Sequence, residues 1–273
     1  MPFAHVNGLN LYYELQGQGS PIVLMHEFAG SIRSWDETID RLREELRVLA
    51  YNCRGYPPSS VPKDLKCYSQ TISADDLRAL LDHLGIARTV LAGLSMGGSV
   101  ALQFAIKYPN RVSGLVIASS GSGSDDKEQF AETFEAVARQ LESEGTQAVS
   151  DRYLMGPTRL TLKRKRPELW RKLRDDFAAS SARGLANTIR GTITKRPTIY
   201  ELEASLRALS IPTLIMAGEL DAPVLAPSRF LAATIPAARL KIFEATGHTI
   251  NLEEPEMFSL AILEFLESTK VTD

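Results

Sequence analysis

The stretch VLAGLSMGGSVALQFA, residues 90–105, changes its periodicity halfway along. Thr89 to Ala92 is a short apolar run rich in β-formers, the pattern of a strand buried on both faces. Val100, Ala101, Phe104 and Ala105 then recur at helical spacing. The switch falls at Ser95, flanked by Gly93, Gly97 and Gly98. A strand that becomes a helix within a few residues forces the turning residue into strained backbone angles, and neighbours without a Cβ leave room for the turn. The serine hydroxyl then stands at the carboxyl edge of a sheet, where the first N–H groups of the helix also point.

The pattern Gly93-Leu94-Ser95-Met96-Gly97 resembles the nucleophile elbow of the α/β-hydrolase family. The rest of the chain alternates in the way such a fold requires. AHVNGLNLYYEL reads as a hairpin turning at Asn7-Gly8. PIVLMH (21–26), RVLAYN (47–52), TVLA and VSGLVIA (112–118) read as buried strands. Trp35, Ile39, Leu42 and Leu46 mark one helix face, and Ile72 through Leu84 reads as another helix. The fold class expected is α/β, a mostly parallel sheet with helices on both faces.

The alternation breaks after SSGSGSDDKEQF and resumes with IPTLIMAG (211–218), RLKIFEAT (239–246) and a closing helix, PEMFSLAILEFL, with Pro255 in its first turn. The intervening residues carry helical patterns and no long strand. Residues 1–120 and 207–273 are therefore expected to form one core, interrupted by a helical cap insertion over 121–206.

At 273 residues, 44% hydrophobic and 23% charged, the chain has the composition of an ordinary soluble globular protein. A formal net charge of −2 gives no general attraction to nucleic acid or anionic membrane. No 18-residue apolar run and no signal-peptide pattern is present, so the expected compartment is the cytoplasm, with no membrane partner. Cys53 and Cys67 form neither a metal pattern nor a disulfide framework. Homo-oligomerisation is left open.

A serine hydroxyl needs a base, and the base needs an orienting acid. Of the four histidines, His5 lies before the hairpin turn and His83 lies in an amphipathic helix; His248, in EATGHTINLEEPEMF, follows a strand beside Gly247 and is the best base. The acid should lie between serine and histidine in chain order. Asp221 follows a strand end and fits, with Glu219 its nearest rival; the preceding strand offers no carboxylate before Asp125. The oxyanion of an acyl-transfer intermediate needs two donors. These are expected to be the backbone N–H of Met96 and that of Phe28 in HEFAG, which follows the strand PIVLMH.

Over nearly the whole chain, the order HEFAG, NCRGYPPS, GLSMGG, GELD and GHTINLEEP is similar to the α/β-hydrolase family, especially its esterase, enol-lactonase and C–C hydrolase members. The resemblance implies Ser95 as nucleophile, His248 as base, Asp221 as acid and Phe28 with Met96 as oxyanion donors, with a capped pocket, an ester or lactone substrate, and no metal or organic cofactor. Hydrolysis of a C–C bond in an oxo-dienoate, or ligand sensing on the same fold, are the alternatives. Ser95 stands where haloalkane dehalogenases and epoxide hydrolases carry aspartate, which disfavours those chemistries. Two positions depart from the family pattern. Glu27 replaces the usual glycine after His26 and is expected to point away from the oxyanion; Asn52 replaces a frequent aspartate and is read as a local hydrogen-bonding difference.

The basic run RLTLKRKRPELWRKLR (159–174) reads as a solvated helix surface. An inward-turned cation of the insertion, such as Arg183 or Arg190, would suit a substrate carboxylate. Phe130, Phe134, Tyr153, Trp170 and Phe177 are read as packing residues.

Overall fold

The computed structural model describes residues 2–270. Its sheet contains eight strands: β1 (Phe3–Val6), β2 (Leu9–Gln16), β3 (Pro21–Met25), β4 (Arg47–Tyr51), β5 (Thr89–Leu94), β6 (Val112–Ala118), β7 (Thr213–Gly218) and β8 (Ala238–Phe243). Their spatial order is β1-β2-β4-β3-β5-β6-β7-β8. The two N-terminal strands pair antiparallel and β2 pairs antiparallel with β4, whereas all pairings from β4 to β8 are parallel. The hairpin turns at Asn7 and Gly8, both with positive φ (51° and 74°), the geometry whose twist suits a two-residue connection.

Alternation within the strands builds two apolar layers. Ile22 and Leu24 of β3 face one layer, with Trp35, Ile39 and Leu42 from the first helical segment and Phe258, Ile262 and Phe265 from the C-terminal helix. Val23 and Met25 face the other, with Leu77, Leu80 and Leu81, Val100 and Phe104, and Leu231. These come from the helices Gln70–His83, Met96–Lys107 and Ala222–Thr234. Burial on both faces is why the strands read as continuous apolar runs.

The chain steps from β3 to β4 on one side, then crosses back to place β5 on the other side of β3. The loops leaving β3 and β5 therefore diverge to opposite faces and leave a crevice between them at the carboxyl edge. HEFAG and Ser95 occupy those two loops.

Between β6 and β7 the described chain is helical: Lys127–Tyr153, Leu160–Lys165, Pro167–Ala178 and Ala182–Thr188 lead through an irregular turn to Glu203–Arg207. The first of these is broken at Gly145 (φ 81°, ψ 171°). The helix Pro167–Ala178 buries Trp170, Leu173 and Phe177. The basic run is more than a solvated surface. Arg166 binds Glu37 at 2.8 Å, Lys172 binds Asp36 at 2.5 Å and Lys165 binds Glu254 at 2.6 Å, so it fastens the helical segment to the sheet-bearing body.

Candidate active site

Ser95 has φ 55° and ψ −111°, a conformation that costs a non-glycine residue free energy and persists only where the surroundings enforce it. They do so through both backbone groups: its N–H donates to Ala118 O at 2.7 Å, and its carbonyl accepts from Ser120 Oγ at 2.9 Å and Ser99 N at 3.1 Å. The glycines around it are required by space. A Cβ on Gly93 would lie 2.3 Å from the Gly97 carbonyl carbon, and one on Gly97 would lie 2.1 Å from Met25 O at the end of β3. Because the second contact is backbone, Gly97→Ala must push β3 away from the elbow. The expected cost is about 3 kcal/mol, the upper part of the overpacking range, read as a lowered urea midpoint at unchanged m-value; an unchanged midpoint would mean the two backbones are not packed this closely.

The donors of the loop after β3 are oriented by His26. Cys53 N–H donates to His26 Nε2 at 3.1 Å, so the ring proton sits on Nδ1, which donates to Glu27 O at 2.8 Å. Gly30 N–H donates to the same carbonyl at 3.1 Å. In a trans peptide the carbonyl and the next N–H point in opposite directions, so fixing Glu27 O fixes the direction of Phe28 N–H. Burial lowers the His26 pKa to about 4 and keeps the ring neutral, as this hydrogen-bonding pattern requires. Asn52 adds a second tie, accepting from Ile32 N at 2.9 Å and donating to Pro57 O at 2.7 Å.

Glu27 is 2% exposed. Its carboxyl lies flush against Gly30, where an added Cβ would fall 2.5 Å from Cδ, and Oε1 accepts from Ser34 Oγ at 3.2 Å. Oε2 is buried with no partner among the described residues. Burial raises the Glu27 pKa above its usual 4.5 against the opposing pull of hydrogen bonds, His248 and Arg159. The folded chain therefore holds the proton more tightly than the unfolded chain, and stability falls as pH rises from about 4.5 through the folded-state value. Glu27→Gln removes this loss. The melting temperature of the variant, relative to wild type, should climb between pH 4 and pH 8; a constant difference would show that Glu27 titrates alike in both states.

On the other side of the elbow, His248 Nδ1 donates to Asp221 Oδ2 at 2.7 Å, and both side chains are buried. The carboxylate holds the Nδ1–H tautomer, leaving Nε2 as the ring's acceptor; that atom is buried and has no partner among the described residues. Asp221 stands at the entry to helix Ala222–Thr234, its N–H bonded to Gly218 O at 3.1 Å. Glu219 is turned elsewhere, accepting from Ala245 N at 2.9 Å, and Asp125 accepts from Tyr200 Oη at 2.5 Å. His5 is bonded to Asn10 and His83 lies exposed at a helix end.

Sequence reasoning missed several residues here. Glu253 braces the loop that carries His248, taking Gly247 N–H on Oε2 at 2.9 Å and Thr249 Oγ1 on Oε1 at 3.2 Å. The helical segment also reaches this loop: His248 N–H donates to Thr158 O at 2.8 Å. Three rings read from the sequence as packing residues do pack, surrounding Phe28 with centroids at 6.0 Å (Phe134), 5.5 Å (Tyr153) and 6.2 Å (Phe177), all edge-on. Arg190 is not free for a ligand, because Glu135 and Glu142 both bind it, at 2.9 and 2.6 Å; Arg183 is exposed. A cleft of about 480 Å³ opens beside Gly30, Tyr56 and Ala179, but neither Ser95 nor His248 lines it. Among the described residues no group of three or more His, Cys, Asp or Glu is placed to hold a metal ion.

The chain is similar to known proteins over nearly its whole length. The chain is 27% identical, over 92% of its length and 91% of the relative's, to 3-oxoadipate enol-lactonase 2 of Acinetobacter baylyi. It is 28% identical, over 90% of both chains, to a putative 2-succinyl-6-hydroxy-2,4-cyclohexadiene-1-carboxylate synthase of Bacillus subtilis. A thermophilic esterase from Thermogutta terrifontis, solved with malate bound, superposes with a TM-score of 0.88 at 30% identity, covering 100% of this chain and 99% of that one. The profile of the alpha/beta hydrolase fold matches residues 20–255, and the chain belongs to that family.

Proposed function

We propose that the protein is a serine hydrolase that cleaves a carboxylic ester or lactone through an acyl-enzyme on Ser95. The observation that carries this reading is the His248–Asp221 hydrogen bond of 2.7 Å, which leaves an acceptor Nε2 at the same sheet edge as the strained Ser95. In this reading, Nε2 takes the Ser95 Oγ proton as Oγ attacks the carbonyl carbon. The N–H groups of Phe28 and Met96 hold the oxyanion of the tetrahedral intermediate. His248 then gives its proton to the leaving alkoxide, and a water activated by the same nitrogen releases the acid. The helices over 121–206 act as a cap on a core made of 1–120 and 207–273, and Phe134, Tyr153 and Phe177 form the cap side of the acyl pocket. The enol-lactonase and esterase relatives support the assignment, because lactone and ester cleavage share this intermediate.

The test is covalent. Incubation with a fluorophosphonate should add one equivalent to the intact mass and place it on the Ser95 peptide, while proton release reports turnover over a panel of esters and lactones. An adduct on another residue, or labelling with no turnover anywhere on the panel, would overturn the proposal.

A further inference from the structure

Two basic side chains of the helical segment, Arg159 and Arg196, are half-buried without an ion pair to any described carboxylate. The others pair, as Arg166, Lys172 and Arg190 do, or stand exposed, as Arg164 and Arg183 do. Arg196 is taken up elsewhere, donating to Ser122 O at 2.8 Å with its guanidinium 5.5 Å from the Phe130 ring centre. Arg159 is placed differently. It directly follows Thr158, whose carbonyl accepts the His248 N–H. Its guanidinium lies 4.4 Å from the centre of the Tyr153 ring and donates to Tyr153 Oη at 3.0 Å. Tyr153 in turn packs on Phe28, and the Arg159 charge acts on both Tyr153 and Glu27.

A partly desolvated cation without a counter-ion attracts an anion more strongly than an exposed or paired one does. Stacking on Tyr153 holds the guanidinium plane while leaving other N–H donors of its fork available, the arrangement that suits a carboxylate. Glu27 makes no ion pair with Arg159: its Oε1 accepts from Ser34 Oγ at 3.2 Å and its carboxyl packs against Gly30. We infer that Arg159 is the specificity-determining residue of the site and that the substrate carries a carboxylate, apart from the carbonyl that reacts, which Arg159 binds. The inference rests on the hydrolase reading for the position of the reacting carbonyl, but anion recognition can be measured without turnover.

Two matched ester pairs place the carboxylate on either side of the scissile bond: 4-nitrophenyl hemiglutarate against 4-nitrophenyl pentanoate, and 4-acetoxybenzoate against phenyl acetate. Wild type should prefer the anionic member of at least one pair. In Arg159→Gln the ratio of anionic to neutral kcat/KM should fall by about tenfold or more, the range for a hydrogen bond to a charged group, and Arg159→Lys should recover part of it. In parallel, calorimetry on Ser95→Ala measures glutarate against neutral glutaramide. Glutarate binding should weaken by about tenfold when Arg159→Gln is added, with glutaramide much less affected. Ester turnover with no Arg159-dependent preference in either pair, together with unchanged glutarate binding, overturns the inference and leaves the hydrolase reading standing. Arg159-dependent glutarate binding in a protein that cleaves none of the esters supports the anion site and counts against the hydrolase reading. Absence of both signals rejects both.

Discussion

Ser95→Ala is expected to lower kcat by on the order of 10⁶, with little change in stability. The fold loses only a hydroxyl there, because the hydrogen bonds that hold the elbow involve the Ser95 backbone N–H and carbonyl. Alanine meets the same requirement for φ 55° and removes no packing. Residual activity should resemble that of a site with oxyanion donors and no nucleophile, and the acyl-enzyme burst should vanish. The check is single-turnover kinetics on whichever ester the wild type cleaves, beside a thermal melt. Retention of more than a hundredth of wild-type activity by a preparation free of wild-type protein would remove Ser95 from the chemistry.

Asp221→Asn is expected to cost about 10⁴ in kcat. The reason lies in the tautomer. The carboxylate can only accept, so it keeps the proton on His248 Nδ1 and the lone pair on Nε2. A carboxamide can donate to Nδ1 instead, which moves the ring proton to Nε2 and leaves no acceptor for the serine proton. The backbone anchor from Asp221 N–H to Gly218 O is untouched. Fold and KM should therefore change far less than kcat. An Asp221→Asn variant within tenfold of wild type would move the orienting role to another acid, with Glu219 the first to examine.

Much of the fold was legible because each strand from β3 to β7 is buried on both faces and carries an uninterrupted apolar run, and because Asn7-Gly8 admits the positive φ values of a tight turn. Boundaries were less legible. The helix read from Ile72 starts at Gln70, since the Ser69 hydroxyl accepts the Ile72 N–H and satisfies an otherwise unpaired donor. The strand read from Ile211 starts at Thr213, after Pro212, which has no N–H for a ladder.

Within the candidate site, Ser95, Asp221 and His248 could be found because each sits just beyond a strand, and parallel strands deliver their following loops to one edge. Glu253 and Thr158 could not. Their positions depend on which face each helix turns inward and on contacts between segments far apart in sequence, neither of which the spacing of residues encodes. Arg159 was hidden for a related reason. It opens a strongly basic run, and charge density alone gives no sign that its first member stacks on Tyr153 while later members bind Asp36 and Glu37.

The hydrogen bond from His248 N–H to Thr158 O has a consequence for how such a protein can diversify. Gly247 lies so close to Thr158 O and Thr161 Oγ1 that a Cβ there would fall 2.3 and 2.0 Å from them. The loop bearing the imidazole and the helical segment above it are thus interlocked parts. An insertion or deletion near residue 158 that reshaped the chamber for a new molecule would also displace the imidazole. Tolerated length changes should therefore collect around the break at Gly145, where a Cβ meets nothing within 4 Å. The stretch at Thr158 is held by its contacts with the His248 loop, and the stretch at Gly145 is free to vary.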